Sequence, residues 1–204
     1  MTVGVLALQG DFREHLAVLT GLGAEAVPVR RERELDRVDG LVIPGGESTV
    51  MDKLSRAFGL RDPLRARIAD GMPVYGTCAG LIMLSDRVLD ALPDQQTLGG
   101  LDVTVRRNAF GNQLDSFETD LDVAVLGGPA VHAAFIRAPI VEEVGPAATA
   151  IATLDDGRVV AVQQGNLLGT SFHPEITGET RFHEHLLSLI EEHDSRNEHV
   201  QQEE

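Results

Sequence analysis

The chain has 204 residues, enough for one domain with a well-filled core. Hydrophobic residues make up 43% and aromatics only 4%, with no Trp, so the expected core is aliphatic. The formal charge of −15 repels nucleic acid and anionic membranes, no apolar run approaches the ~20 residues that span a bilayer, and the single cysteine excludes an internal disulfide framework.

One cysteine also fits a reducing, cytoplasmic compartment, and Met1-Thr2-Val3-Gly4 opens no basic and apolar secretory signal. Val3-Gly4-Val5-Leu6-Ala7-Leu8 is a near-continuous apolar run, as a parallel strand covered on both faces requires. Phe12, Leu16 and Leu19, spaced by four and three, predict a helix. Ala24 to Val29 predicts a second strand, and Gly40 to Ile43 a third that stops at Pro44-Gly45-Gly46. Helices are predicted from about Ser48 to Phe58 and near Pro63 to Ala69. Met72-Pro73-Val74-Tyr75 leads as a strand into Gly76-Thr77-Cys78-Ala79-Gly80, and Leu81-Ile82-Met83-Leu84 continues as helix. Further strands are predicted at Leu101 to Val105, Val131 to Ile136, Ala148 to Leu154, Val159 to Val162 and Leu167 to Ser171, with a hairpin turn at Asp156-Gly157. Phe182, Leu186, Leu189 and Ile190 mark a last amphipathic helix, and from about Asp194 the chain is polar and expected to fray. The expected organisation is one domain over residues 1–192 and a flexible tail over 193–204. The expected fold class is α/β, a three-layer open sheet, mostly parallel with antiparallel additions, whose ligands gather outside the carboxyl ends of the strands.

The only cysteine sits in a strand–turn–helix segment, Gly76-Thr77-Cys78-Ala79-Gly80. Such a turn lifts a nucleophile clear of the sheet, the flanking glycines remove side chains that would clash, and the helix end favours negative charge on sulfur. Taken alone, the segment reads equally well as a buried small hydrophobe. A cysteine nucleophile needs a base and the base an orienter. His173-Pro174-Glu175 offers both just after a predicted strand, because residues two apart in extended chain point the same way and Pro174 biases His173 toward that backbone. His183 and His185 diverge on their helix and, with His193, read as exposed helix histidines rather than a metal site. His15 and His132 read as surface or packing residues, and no metal or cofactor is expected. Pro44-Gly45-Gly46-Glu47-Ser48 closes the third strand with N–H groups suited to an oxyanion, paired glycines that let a peptide flip, and a polar pair suited to a zwitterion.

These words together resemble a family. Gly76-Thr77-Cys78-Ala79-Gly80 with a distant His173-Pro174-Glu175 resembles a class I glutamine amidotransferase domain, a flavodoxin-like fold. Four further segments narrow the likeness: Leu6-Ala7-Leu8-Gln9-Gly10-Asp11-Phe12-Arg13-Glu14-His15, Pro44-Gly45-Gly46-Glu47-Ser48-Thr49, Arg107-Asn108-Ala109-Phe110-Gly111-Asn112-Gln113 and Phe135-Ile136-Arg137-Ala138-Pro139. With them the chain is similar, from about Val3 to Ile190, to the glutaminase subunits of pyridoxal 5′-phosphate synthase. Asn112 departs from the arginine that this family often carries.

The resemblance implies hydrolysis of L-glutamine by Cys78, His173 and Glu175, an oxyanion hole from the backbone N–H groups of Gly46 and Ala79, and a glutamine pocket involving Gly46, Glu47, Ser48, Arg107, Ile136 and Arg137. It implies a partner as well, a barrel-shaped synthase in a large hetero-oligomer, which takes the ammonia before water protonates it and switches the glutaminase on. Which polar group meets which end of glutamine is open at this stage. So are three rivals: a glutaminase serving another synthase, a catalytically silent subunit of the same fold, and another cysteine hydrolase with an elbow. The Arg107 and Phe135 segments, the intact triad and the Gly-Gly-Glu-Ser pocket argue against them in turn.

Overall fold

The computed structural model describes residues 1–107 and 116–202. Its elements run β1 (Thr2–Leu6), α1 (Phe12–Gly21), β2 (Glu25–Val29), α2 (Glu32–Leu35), β3 (Gly40–Ile43), α3 (Ser48–Ala57), α4 (Arg61–Ala69), β4 (Val74–Thr77), α5 (Ala79–Leu84), β5 (Ser85–Leu89), β6 (Leu101–Arg106), β7 (Ser116–Leu121), β8 (Val131–Ile136), β9 (Ile140–Val144), β10 (Thr149–Thr153), β11 (Val159–Gln164), β12 (Leu167–Thr170), α6 (Pro174–Thr177) and α7 (Arg181–Gln202). Every strand expected from apolar runs is present, and the Asp156-Gly157 turn joins the antiparallel pair β10 and β11. The strands β5, β7 and β9 and the one-turn helices α2 and α6 carry no expectation from the sequence. β7 and β9 mix apolar with charged residues, because one side of each faces solvent.

One ten-stranded sheet has the order β2-β1-β3-β4-β12-β11-β9-β6-β5, with β10 paired to β11 off that path, and β7 and β8 form a separate pair. The half from β2 to β12 is parallel throughout. Beyond it β12, β11, β9 and β6 alternate in direction, and β5 returns parallel to β6. The sheet is therefore mixed, and its parallel half is the one that carries the elbow.

Two cores cover the two faces. Leu41 and Ile43 of β3 point to one face and Val42 to the other, and Val74 and Tyr75 of β4 divide in the same way. The first core receives Met51 of α3, Leu64 and Ile68 of α4 and Leu81 of α5, and it is wholly aliphatic. The second receives Leu19 of α1 and Phe182, Leu186 and Ile190 of α7. It departs from the aliphatic expectation, because Tyr75, Phe135, Phe172 and Phe182 gather there, each fully buried. The chain has few aromatic rings, and it concentrates them behind the strand ends that hold the site.

α7 does not stop near Asp194, where the sequence reading ends it. His193 Nδ1 lies 3.2 Å from Asn166 Nδ2, Arg196 donates to Asn166 Oδ1 at 3.0 Å, and the Ser195 hydroxyl donates to the Glu191 carbonyl at 2.8 Å. A polar sequence denies this stretch a buried face but leaves its backbone and i,i+4 bonds free to continue the helix. Among the described residues no helix is long and apolar enough to cross a membrane.

Candidate active site

Cys78 stands between β4 and α5 with φ 50° and ψ −102°. For a residue with a side chain this left-handed backbone costs about 1–3 kcal/mol and persists only where its surroundings enforce it. The enforcement is visible: the Cys78 N–H donates to the Thr170 carbonyl at 2.7 Å, and its carbonyl accepts from the Ile82 N–H at 3.2 Å. The two glycines work through contact. A Cβ on Gly76 would lie 2.5 Å from the Gly80 backbone, and a Cβ on Gly80 only 2.0 Å from the Ile43 carbonyl oxygen. Their bare backbones let α5 press onto β3 and β4 and set Cys78 at the strand ends.

His173 follows β12, and its N–H donates to the Ala134 carbonyl on β8 at 3.0 Å. Its Nδ1 lies 2.7 Å from Glu175 Oε1, and it lines the same cleft as Cys78. The pairing is the one expected from the sequence, but the route differs. Pro174 and Glu175 are helical, and His173 is the N-cap of α6 (φ −113°, ψ 83°) rather than the middle of an extended run. Proline suits the first position of a helix, so the chain turns immediately after the histidine. Burial works against a charged His173 ring, yet the neighbouring Cys78 and Glu175 groups outweigh it, raising its pKa from 6.5 to about 10.

Cys78, Ala79 and His173 line a cleft of about 480 Å³. Gly46, Glu47, Ser48, Arg107, Ile136 and Arg137 line it too. Glu175 stands behind His173, its side chain withdrawn from solvent. Every site residue expected from the sequence thus lies on this cleft or directly behind it, although the chain separates them widely. The remainder of the segment that begins at Arg107, with Asn112, lies outside the described residues.

The polar walls are already paired. Arg107 Nη2 donates to Glu47 Oε1 at 2.9 Å. Glu47 Oε2 accepts from the Val50 N–H at 3.0 Å, which caps α3, and from the Thr49 hydroxyl. Partial burial pushes against the Glu47 charge, but Thr49, Val50 and Arg107 outweigh it and hold its pKa below the usual carboxylate value. Arg107 and Glu47 together present one cation and one anion, the complement of an amino-acid zwitterion.

Sequence reasoning missed several supporting residues. Gln95 accepts from Arg107 Nη1 at 2.8 Å and donates to the Ser48 hydroxyl at 3.0 Å. Its loop is tied to α3, because buried Asp52 accepts from the Gln96 N–H at 3.1 Å. Gln9 brackets the Glu47 backbone, accepting from its N–H at 3.2 Å and donating to its carbonyl at 3.4 Å. A Gln in a loop has no periodicity or spacing to betray it. Two histidines need correction. His183 is fully buried rather than exposed, and His15 is a buried hydrogen-bonding residue rather than mere packing. His185, as expected, points elsewhere, with Nε2 3.0 Å from Gln163 Oε1. Among the described residues one group of three offers metal-type ligand atoms within 4.8 Å of one another: Asp11, His173 and Glu175. It overlaps the base pair of the cleft, and the His173–Glu175 hydrogen bond already occupies the ring nitrogen facing those carboxylates.

The profile of the SNO glutamine amidotransferase family matches residues 5–192. The chain is 68% identical over 190 residues to the "Pyridoxal 5′-phosphate synthase subunit PdxT" of Clavibacter sepedonicus, covering 93% of this chain and 91% of that one. A relative of the same name from Leifsonia xyli subsp. xyli is 68% identical over 188 residues, covering 92% and 95%. Among solved structures, one described as a glutamine amidotransferase superposes with a TM-score of 0.86 at 46% identity, covering 92% of this chain and 98% of that one. A putative GMP synthase component from Thermoplasma acidophilum superposes with a TM-score of 0.70 at 18% identity, covering 97% and 98%, a likeness of fold alone.

Proposed function

The chain belongs to the SNO glutamine amidotransferase family, and from that premise we propose that it is the glutaminase subunit of a pyridoxal 5′-phosphate synthase. It hydrolyses L-glutamine to L-glutamate and ammonia and passes the ammonia to a synthase subunit, in the cytoplasm and within a large hetero-oligomer. The observation that carries this reading is that Cys78, at its strained elbow, shares one cleft with a His173 whose Nδ1 meets buried Glu175 at 2.7 Å.

In this mechanism the zwitterionic end of glutamine lies between Glu47 and Arg107, and the amide reaches Cys78. The Cys78 sulfur attacks the side-chain amide carbon, and His173 holds the proton that the thiol gives up. The N–H groups of Gly46 and Ala79 receive the oxyanion. Ala79 suits that part because it opens α5, where first-turn N–H groups lack helical partners. His173 then protonates the departing nitrogen, ammonia leaves, and a glutamyl thioester remains. Acylation consumes the sulfur that helped hold the His173 proton. The base that activates the hydrolytic water is therefore less tightly protonated than the one at rest, as deacylation requires. Glu175 fixes the ring and offsets its positive charge.

The Gly45–Gly46 peptide is the proposed hinge of activation. The Gly45 carbonyl accepts from the Asp11 N–H over a long 3.3 Å, and Gly46 has φ 141°, so a modest loss of contact frees the peptide to rotate. The test is glutamate release from glutamine, measured with and without the cognate synthase subunit. The expected result is turnover that rises sharply with synthase and vanishes in Cys78→Ala. Absence of turnover even with synthase would overturn the reading, and equal turnover with and without it would overturn the hinge.

A further inference from the structure

Behind Glu175, away from the cleft, two histidines that this mechanism leaves unused form a buried chain. His15 on α1 and His183 on α7 are both fully buried. His15 Nδ1 lies 2.8 Å from His183 Nε2. His15 Nε2 lies 3.2 Å from Thr77 Oγ1 and 3.7 Å from Glu175 Oε1. One imidazole therefore touches the residue that precedes the nucleophile and faces the carboxylate that orients its base.

Hydrogen-bond bookkeeping selects the tautomers. Suppose His15 donated from Nδ1. Its Nε2 lone pair would then face a carboxylate, and His183 would carry its hydrogen on Nδ1, a buried atom with no partner among the described residues. An unpaired buried N–H is costly. In the opposite arrangement His183 donates from Nε2, His15 carries its hydrogen on Nε2 toward Thr77 and Glu175, and only a lone pair is left unmatched. Burial, then the neighbouring His183 and His173, hold His15 well below its usual pKa, and burial lowers His183 to about 4, so both rings are neutral dipoles. The other polar groups facing them are Tyr75 of β4 and the Glu179 carboxylate after α6.

We infer that His15 is a positioning residue, turning its Nε2–H to the Thr77–Glu175 edge so that the Glu175 side chain stays aligned on His173, and that His183 sets its tautomer. This rests on the glutaminase reading above. At 3.7 Å the contact with Glu175 is one of charge and dipole, and the hydrogen bond proper goes to Thr77.

The test uses the full chain with its synthase partner. His15→Leu is expected to lower kcat about 10-fold or more with KM for glutamine unchanged, since misalignment at a site is costly in rate. His15→Gln, which returns an N–H near the Nε2 position, is expected to restore most of kcat. His183→Phe should produce a smaller loss, and His183→Gln should recover it. If His15→Leu does not fold, the His183 pair decides: recovery supports the inference, and equal loss in Phe and Gln overturns it. An unchanged kcat in folded His15→Leu, or equal losses in His15→Leu and His15→Gln, also overturns it. Lack of turnover in the unsubstituted complex would instead overturn the glutaminase reading.

Discussion

Arg107 and Glu47 hold each other at the cleft, and under the proposed mechanism glutamine replaces that contact with its own ends. Removing Arg107 strips one charged hydrogen bond from the ligand and leaves Glu47 unneutralised. Arg107→Met is expected to raise KM for glutamine about 10–100-fold with a smaller change in kcat, as loss of a charged hydrogen bond worth ~1.5–3 kcal/mol implies. Steady-state kinetics with synthase present would check it, and a fall in kcat alone would move Arg107 out of the binding role. The buried histidines make a separate statement about pH. The pKa of His183 falls from 6.5 in the exposed chain to about 4 in the fold, so the unfolded chain binds its proton more readily. The stability that neutral His183 represents is full above about pH 6.5 and is lost as pH falls toward 4. His173 has the opposite sign, its contribution being full below about pH 6.5 and lost as pH rises through about 10. Thermal melts at pH 7 and 4.5 should show a smaller acid-induced fall in His183→Phe than in the parent. Equal falls would assign the acid sensitivity to other groups.

At the level of elements, the elbow works because α5 lies against backbone rather than side chains. A methyl at Gly80 meets the Ile43 carbonyl, which belongs to a central strand and has no room to yield. Gly80→Ala is expected to destabilise by ~1–3 kcal/mol, the usual range for overpacking, and to displace Cys78 enough to remove most glutaminase activity. Denaturant midpoints and turnover measured on the same sample would test this, and an unaltered midpoint would show that α5 lifts freely. The hairpin of β7 and β8 has a comparable role on the other side. Its β8 strand accepts the His173 N–H at Ala134 and ends at Ile136 and Arg137 on the cleft rim. Arg137 itself has φ 46°, so the turn that delivers it is under strain like the elbow.

Across the whole molecule, the site is braced from behind by the aromatic core. Phe182 stacks on Tyr75 at 6.0 Å and meets Phe172 edge-on at 5.4 Å, and Phe172 directly precedes His173. Phe182→Ala is expected to cost ~3–5 kcal/mol, the range for a buried ring, which is a large part of a typical domain's ~5–15 kcal/mol. Its kcat is expected to fall as well, because the cavity opens beneath the strand end that carries the base. Calorimetry and kinetics at 25 °C would separate the two effects, and full activity in a destabilised variant would uncouple the core from the site.

The residues expected to meet were legible because their types and local settings are rare. A lone cysteine between glycines after an apolar run, a His-Pro-Glu after another, and Gly-Gly-Glu-Ser after a third each mark a strand end, and a parallel sheet gathers its strand ends at one rim. Local pattern therefore determined the strands of the parallel half, the elbow and the identity of the triad candidates. It did not determine that Glu175 reaches His173 from a helical turn, that Gln95 bridges Arg107 and Ser48, or that His183 is buried against His15. Those contacts join segments far apart in the chain, and one residue's surroundings depend on how every intervening element packs. A histidine on an amphipathic helix carries no local sign of which face will be covered. Only the closing of α1 and α7 over the same side of the sheet decided that, because that packing took water from both rings and left each as the other's partner.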